Sequence, residues 1–98
     1  MDQLGRMRQE LDEIDATLVD LLVRRLEICR RIAAHKRSHG IPMMQTGRIS
    51  AVKRPVALQA GTRGLREEFV LEVYDRIIAE ACKLEDEIIG GTIRSPEP

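Results

Sequence analysis

The stretch from Met7 to Lys36 (MRQELDEIDATLVDLLVRRLEICRRIAAHK) contains neither glycine nor proline, and its apolar residues recur at helical spacing. Leu4, Met7, Leu11, Ile14, Leu18 and Leu21 step by alternating threes and fours, which is the seam of one long amphipathic helix. The seam continues to Arg25, Ile28 and Ile32, so a cation interrupts a stripe that should be dry. Arg25, Cys29, Ile32 and Lys36 fall on one line, with small or apolar groups between two positive charges. That line has the make-up of a pocket floor with a cation at each end.

The length of this helix constrains the assembly. From about Asp2 to Ser38 it spans roughly 55 Å at ~1.5 Å per residue. A compact domain of about 100 residues has a radius of gyration of only ~13 Å. The helix overruns any globule the rest of the chain can build, and its apolar seam needs a second chain. A two-fold dimer is the simplest expectation.

The 98 residues suffice for one domain with a modest core. Phe69 and Tyr74 are the only aromatics, so the core is aliphatic and suits helix-on-helix packing. Sixteen basic and sixteen acidic residues balance, which argues against a nucleic-acid surface. No apolar run approaches the ~18 residues of a membrane span. The opening MDQLGRMRQE lacks the apolar core of a signal peptide, so a cytoplasmic location is expected. Cys29 and Cys82 lie on the apolar faces of two different helices, and their spacing matches no zinc or redox motif. They read as buried free thiols. His35 and His39 have no carboxylate or thiol nearby to complete a metal set.

The first helix should end near His39-Gly40, where glycine caps and Pro42 blocks continuation. The loop GIPMMQTGR follows, and its Met43 and Met44 suggest that it folds over something apolar. Thr46 or Ser50 is expected to cap a shorter helix running toward Ala60, kinked or cut short by Pro55. Gly61 to Gly64 reads as a turn. A third helix is expected from about Leu65 to Ile89, burying Phe69, Val73, Ile77, Ala81, Leu84 and Ile88, with Val70, Tyr74 and Ile78 widening the stripe. Residues 1–91 thus form one all-α domain of three helices (long, short, long), and residues 92–98 a disordered tail.

Arg25 and Lys36 are eleven residues apart, hence within about 20° in azimuth and roughly 16 Å along the axis. Their side chains can grip the two ends of a small dianion. Arg8 lies roughly 26 Å before Arg25 on the same helix. In an antiparallel dimer, however, it can enter the partner's pocket. Glu85 borders the apolar stripe of the third helix. Arg48 sits at the start of the second, where a cation is disfavoured unless an anion is also present. Each residue also has a plain structural reading. Arg25 can snorkel to solvent, Lys36 can belong to a cationic last turn, Glu85 can be a surface acid and Arg48 an exposed loop residue.

Taken in order, these residues resemble the all-helical chorismate mutase family. The resemblance runs from about Leu4 to Ile89. It is carried by Arg8-x6-Asp15-x8-Arg24-Arg25, the lysine of AAHK, the arginine of QTGR and the acid within RIIAEACKLEDE. The resemblance implies an intertwined homodimer with two pockets, each built from both chains, taking a small-molecule dicarboxylate and needing no cofactor or metal. Arg25, Lys36 and Arg48 match the family's substrate-binding cations, and Arg8 matches the arginine lent by the partner. Glu85 matches the position facing the ether oxygen, and Ala81 a pocket-lining position that is Ser in some members. Gln45 and Ile49 depart from the usual bacterial enzyme, which has Asp and Glu there, near the C4 hydroxyl of chorismate. The loop HGIPMMQTGRIS, followed by VYDRIIAEACKLEDEII, looks closest to members that act on 4-amino-4-deoxychorismate in antibiotic pathways through p-aminophenylalanine.

The reaction so implied is a Claisen rearrangement, in which the protein supplies orientation and electrostatics. The resemblance makes Lys36, Glu85 and Arg25 the catalytic group, with Arg8, Gln45, Arg48 and Ala81 completing the substrate contacts. Besides isochorismate pyruvate-lyase, which shares the family's fold, two rival readings differ in class. One is chorismate mutase itself, converting chorismate to prephenate. The other is a non-catalytic helical dimerisation module, against which a cation inside the seam argues.

Overall fold

A computed structural model describes residues 2–43 and 47–91, excluding the side chain of residue 91. The expected positions Met44, Gln45, Thr46 and the 92–98 tail lie outside the described residues. The order is α1 (Gln3–His39), α2 (Arg48–Thr62), α3 (Glu67–Asp86) and a closing π-helical turn, Glu87–Gly91. No strand occurs among the described residues. The all-α expectation of a long, a short and a long helix holds.

Helix α1 starts where the Asp2 carboxylate accepts a hydrogen bond from the Gly5 amide at 2.7 Å, which satisfies one of the first turn's orphan donors. It stops where Gly40 takes a left-handed φ of 66°. There the Ile41 amide donates back to the Lys36 carbonyl at 2.8 Å. This is the six-to-one bond of a Schellman ending, and glycine supplies the positive φ without steric cost.

Helix α2 departs from expectation in two ways. Its N-cap is Gly47 at φ 80°, with no side-chain cap, so Ser50 lies inside the first turn rather than before it. Nor does Pro55 end the helix, which runs on to Thr62 through Gly61. The ring removes the amide that would bond the Ala51 carbonyl. Ala51 is exposed, so water can take that acceptor's place. The chain turns at Gly64, φ 82°, where the Leu65 amide bonds back to the Ala60 carbonyl at 2.9 Å.

Helix α3 opens on Glu67 and Glu68, whose charges complement the positive end of the helix dipole. It is the element against which both α1 and α2 pack. The inward line is Val70, Tyr74, Ile78 and Ala81, the first and last of them buried. Phe69 and Val73, expected inside, are 56 % and 40 % exposed. The helix is rotated so that its Phe69–Val73 edge faces outward within a single protomer. Lys53 on α2 pairs with Asp75 on α3, but at so exposed a site the pair contributes little.

The core is thin. Cys29, Ala33, Ala60, Val70 and Ala81 are the buried apolar residues among those described. Such small side chains let the helices approach closely but remove little apolar area from water. Meanwhile Leu4, Met7, Leu11, Ile14, Leu18 and Leu21 are 49–58 % exposed along α1. The molecule extends 55 × 29 × 22 Å with a radius of gyration of 17.5 Å, against ~13 Å for a compact chain of this size. The long axis is the length of α1.

Candidate active site

One cavity lies where the second half of α1, the start of α2 and the end of α3 converge. Arg25, Cys29, Ile32 and Lys36 form the α1 wall, which is the line of four that helical spacing puts together. Arg48, Ile49 and Val52 form the α2 wall, while Ile78, Ala81, Cys82 and Glu85 come from α3. Met43 closes the loop side. The cavity holds about 110 Å³ within one protomer, less than the ~300–1,000 Å³ typical of small-molecule sites, and it opens to solvent at its mouth.

The polar groups are few and specifically held. The Lys36 ammonium donates to the Met43 carbonyl, and it sits 3.1 Å from Glu85 Oε1. Both side chains of that ion pair are largely buried, 15 % and 13 % exposed, so solvent screens the pair less than a surface one. Arg25 is half-buried. One guanidinium nitrogen lies 3.9 Å from Cys29 Sγ, and the guanidinium carbon lies 5.9 Å from the centroid of the Tyr74 ring. Arg48 reaches the cavity from the first turn of α2, where no side chain caps the helix amides. Those amides add positive potential at the same place. Burial pushes the Cys82 thiol above its ordinary range. The Glu85 charge adds to that shift, Lys36 opposes it, and Cys29 raises it slightly further. Among the described residues, no group of three His, Cys, Asp or Glu side chains is placed to hold a metal ion. His35 and His39 stack on each other instead, centroids 4.1 Å apart.

Of the residues singled out from the sequence, Arg25, Lys36, Arg48, Ile49, Ala81 and Glu85 line this one cavity. Gln45 lies outside the described residues. Arg8 is exposed near the start of α1 and lines no part of the cavity within its own chain. Val52, Ile78 and Cys82 were not singled out as lining residues, and neither was Tyr74 as the neighbour of Arg25. Helical spacing does carry that signal. Tyr74, Ile78, Cys82 and Glu85 follow one another at intervals of four and three, and Val52 lies four residues after Arg48.

The arrangement defines an all-helical protein with an aliphatic pocket. Three cations and one carboxylate, Arg25, Lys36, Arg48 and Glu85, face into it. The family of chorismate mutases of type II matches residues 7–86, and the chain belongs to that family. Among individual proteins, it is 47 % identical over 89 residues to a 4-amino-4-deoxychorismate mutase of Streptomyces venezuelae, covering 91 % of this chain and 86 % of that one. It is 44 % identical over 98 residues to a 4-amino-4-deoxychorismate mutase of Streptomyces pristinaespiralis, covering 99 % of this chain and 76 % of the other. A T-protein of Haemophilus influenzae is 28 % identical over 95 residues, which is 97 % of this chain and 25 % of that protein. No solved structure matches at a comparable level of significance. The protein is an enzyme of the chorismate mutase type, an isomerase.

Proposed function

We propose that the enzyme rearranges 4-amino-4-deoxychorismate to 4-amino-4-deoxyprephenate, acting as a cytoplasmic homodimer with shared sites. The observation that carries the choice of substrate is the 47 % and 44 % identity to the two Streptomyces enzymes over most of the chain. The cavity, on which Arg25, Lys36 and Arg48 converge, suits the two carboxylates that both candidate substrates carry. Among the described residues no helix is long and apolar enough to cross a membrane.

The reaction is intramolecular. The ether C–O bond breaks as a C–C bond forms, and no atom enters or leaves. The protein's part is to select the folded conformer of a flexible dianion and to stabilise charge developing on the ether oxygen. Arg25 and Arg48 hold carboxylates, for which the planar guanidinium fork is suited. Arg8 of the partner supplies a third grip. Lys36 and Glu85, adjacent in the cavity, act at the ether oxygen. Lys36 donates directly, and Glu85 donates when it carries a proton. Gln45 and Ala81 complete the contacts.

Purified protein assayed on chorismate and on its 4-amino analogue, side by side, tests the reading. The expected result is a higher kcat/KM for the amino substrate. A clear preference for chorismate would refute it in favour of chorismate mutase proper, and no turnover of either would leave a dimerisation module.

A further inference from the structure

Arg25 lines the cavity without an ion-pair partner among the described residues, although Arg76 and Glu80 border a neighbouring hollow with it. Lys36 has Glu85, and Arg48 stands at an exposed helix start. Among the described residues, no carboxylate lies within ion-pair distance of Arg25. Its near neighbours are the Cys29 sulfur at 3.9 Å and the face of Tyr74, whose centroid is 5.9 Å away. A half-buried guanidinium left loose samples many rotamers, and ordering it on ligand binding costs affinity. A carboxylate partner would hold it, but would also neutralise its charge and occupy its donors. A ring face attracts the cation through its quadrupole and takes none of the in-plane N–H groups. A thiol is only a weak acceptor.

We propose that Tyr74 is a positioning residue for the reaction. Its ring holds Arg25 in the cavity with the guanidinium charge uncompensated and its donors free for a substrate carboxylate. Tyr74 lies one helical step behind Ile78 on the face of α3 that lines the cavity, yet does not itself line it. It therefore acts through Arg25 rather than on the substrate. The inference rests on the reading of Arg25 as a substrate-binding cation. What it adds is the ring, rather than the hydroxyl, as the functional part of the tyrosine.

The test compares Tyr74→Leu and Tyr74→Phe in an otherwise wild-type chain and in an Arg25→Ala chain. Kinetics are measured on whichever of the two substrates the enzyme prefers, and folding is followed by circular dichroism. Tyr74→Leu should raise KM by about three- to tenfold with kcat little changed, because the carboxylate grip serves ground and transition states alike. Tyr74→Phe, which keeps the face, should restore most of that loss. In the Arg25→Ala chain, Tyr74→Leu should add nothing. A merely structural role would lower kcat through a smaller active fraction while leaving KM in place, and that outcome overturns the proposal. So does a Tyr74→Phe enzyme as impaired as Tyr74→Leu, or a loss of equal size in the Arg25→Ala chain. If Arg25→Ala itself leaves KM and kcat unchanged, the reading of the site fails first. If it is nearly inactive while Tyr74→Leu behaves as wild type, only the positioning role fails.

Discussion

Substituting Leu18 by aspartate puts a charge in the middle of the open α1 seam and tests whether that seam is an interface. Leu18 is 52 % exposed in the protomer, so roughly half its apolar surface is still available for burial. Full burial of a leucine side chain stabilises by about 1.5–3 kcal/mol, so the remaining half amounts to about 1 kcal/mol per copy. A two-fold interface counts each residue twice, which gives about 2 kcal/mol per dimer. Two carboxylates must also lose water in an apolar seam, at a cost of at least about 1 kcal/mol each. The sum, about 4 kcal/mol, corresponds to a dissociation constant weakened about a thousandfold. Sedimentation velocity across a concentration series measures it directly, with circular dichroism to follow helicity. Wild-type protein should sediment at about twice the protomer mass of 11.1 kDa. The Leu18→Asp chain should dissociate at concentrations where the wild type does not, and lose activity with the dimer. A wild-type chain that sediments as a monomer with full activity would refute the reasoning. So would a variant that dimerises as tightly as the wild type.

Three further outcomes are expected. Arg8→Ala and Arg25→Ala chains, each nearly inactive alone, should regain activity when mixed, because one heterodimer pocket then receives both arginines; no recovery despite demonstrated subunit exchange would exclude shared sites. Glu85→Gln keeps a hydrogen-bond donor that does not titrate, so it should stay active. A Glu85→Gln enzyme with kcat reduced a hundredfold or more would show that the carboxylate charge beside Lys36, rather than a donor at this position, serves the reaction. Because burial raises the Cys82 pKa, less of the reactive thiolate exists near pH 8 than in a free cysteine. Iodoacetamide should therefore modify Cys82 more slowly than a free thiol, and more slowly still with substrate bound; mass spectrometry of the labelled peptide gives both rates.

The long helix and its ends were legible because they follow from local chemistry. An uninterrupted period of three and four gives the helix, Asp2 opens it and Gly40 closes it. The α1 wall of the cavity was legible for the same reason, since residues at positions 25, 29, 32 and 36 must share a face. The start of α2 was not. Ser50 has the side chain of a good cap, but Gly47 reached the required backbone geometry first, and a single sequence does not rank those two solutions. Pro55 misled because its cost is set by whether the freed carbonyl can meet water. The rotation of α3 was ambiguous as well. Phe69 and Val73 define one apolar face, Val70 and Tyr74 another, and only packing against α1 and α2 selects between them. The approach of Tyr74 to Arg25 depends on that choice.

Lys36 holds two structural bonds at once, one to the Met43 carbonyl and one to Glu85. An ammonium has three protons, so a single one is left to offer. A ligand that needs one bond from Lys36 can be met without disturbing the site. A ligand that needs two must first separate Lys36 from the loop or from α3. The number of acceptors an incoming molecule presents to this nitrogen thus decides whether both of these bonds survive binding, and two ligands of equal charge can differ in that respect alone.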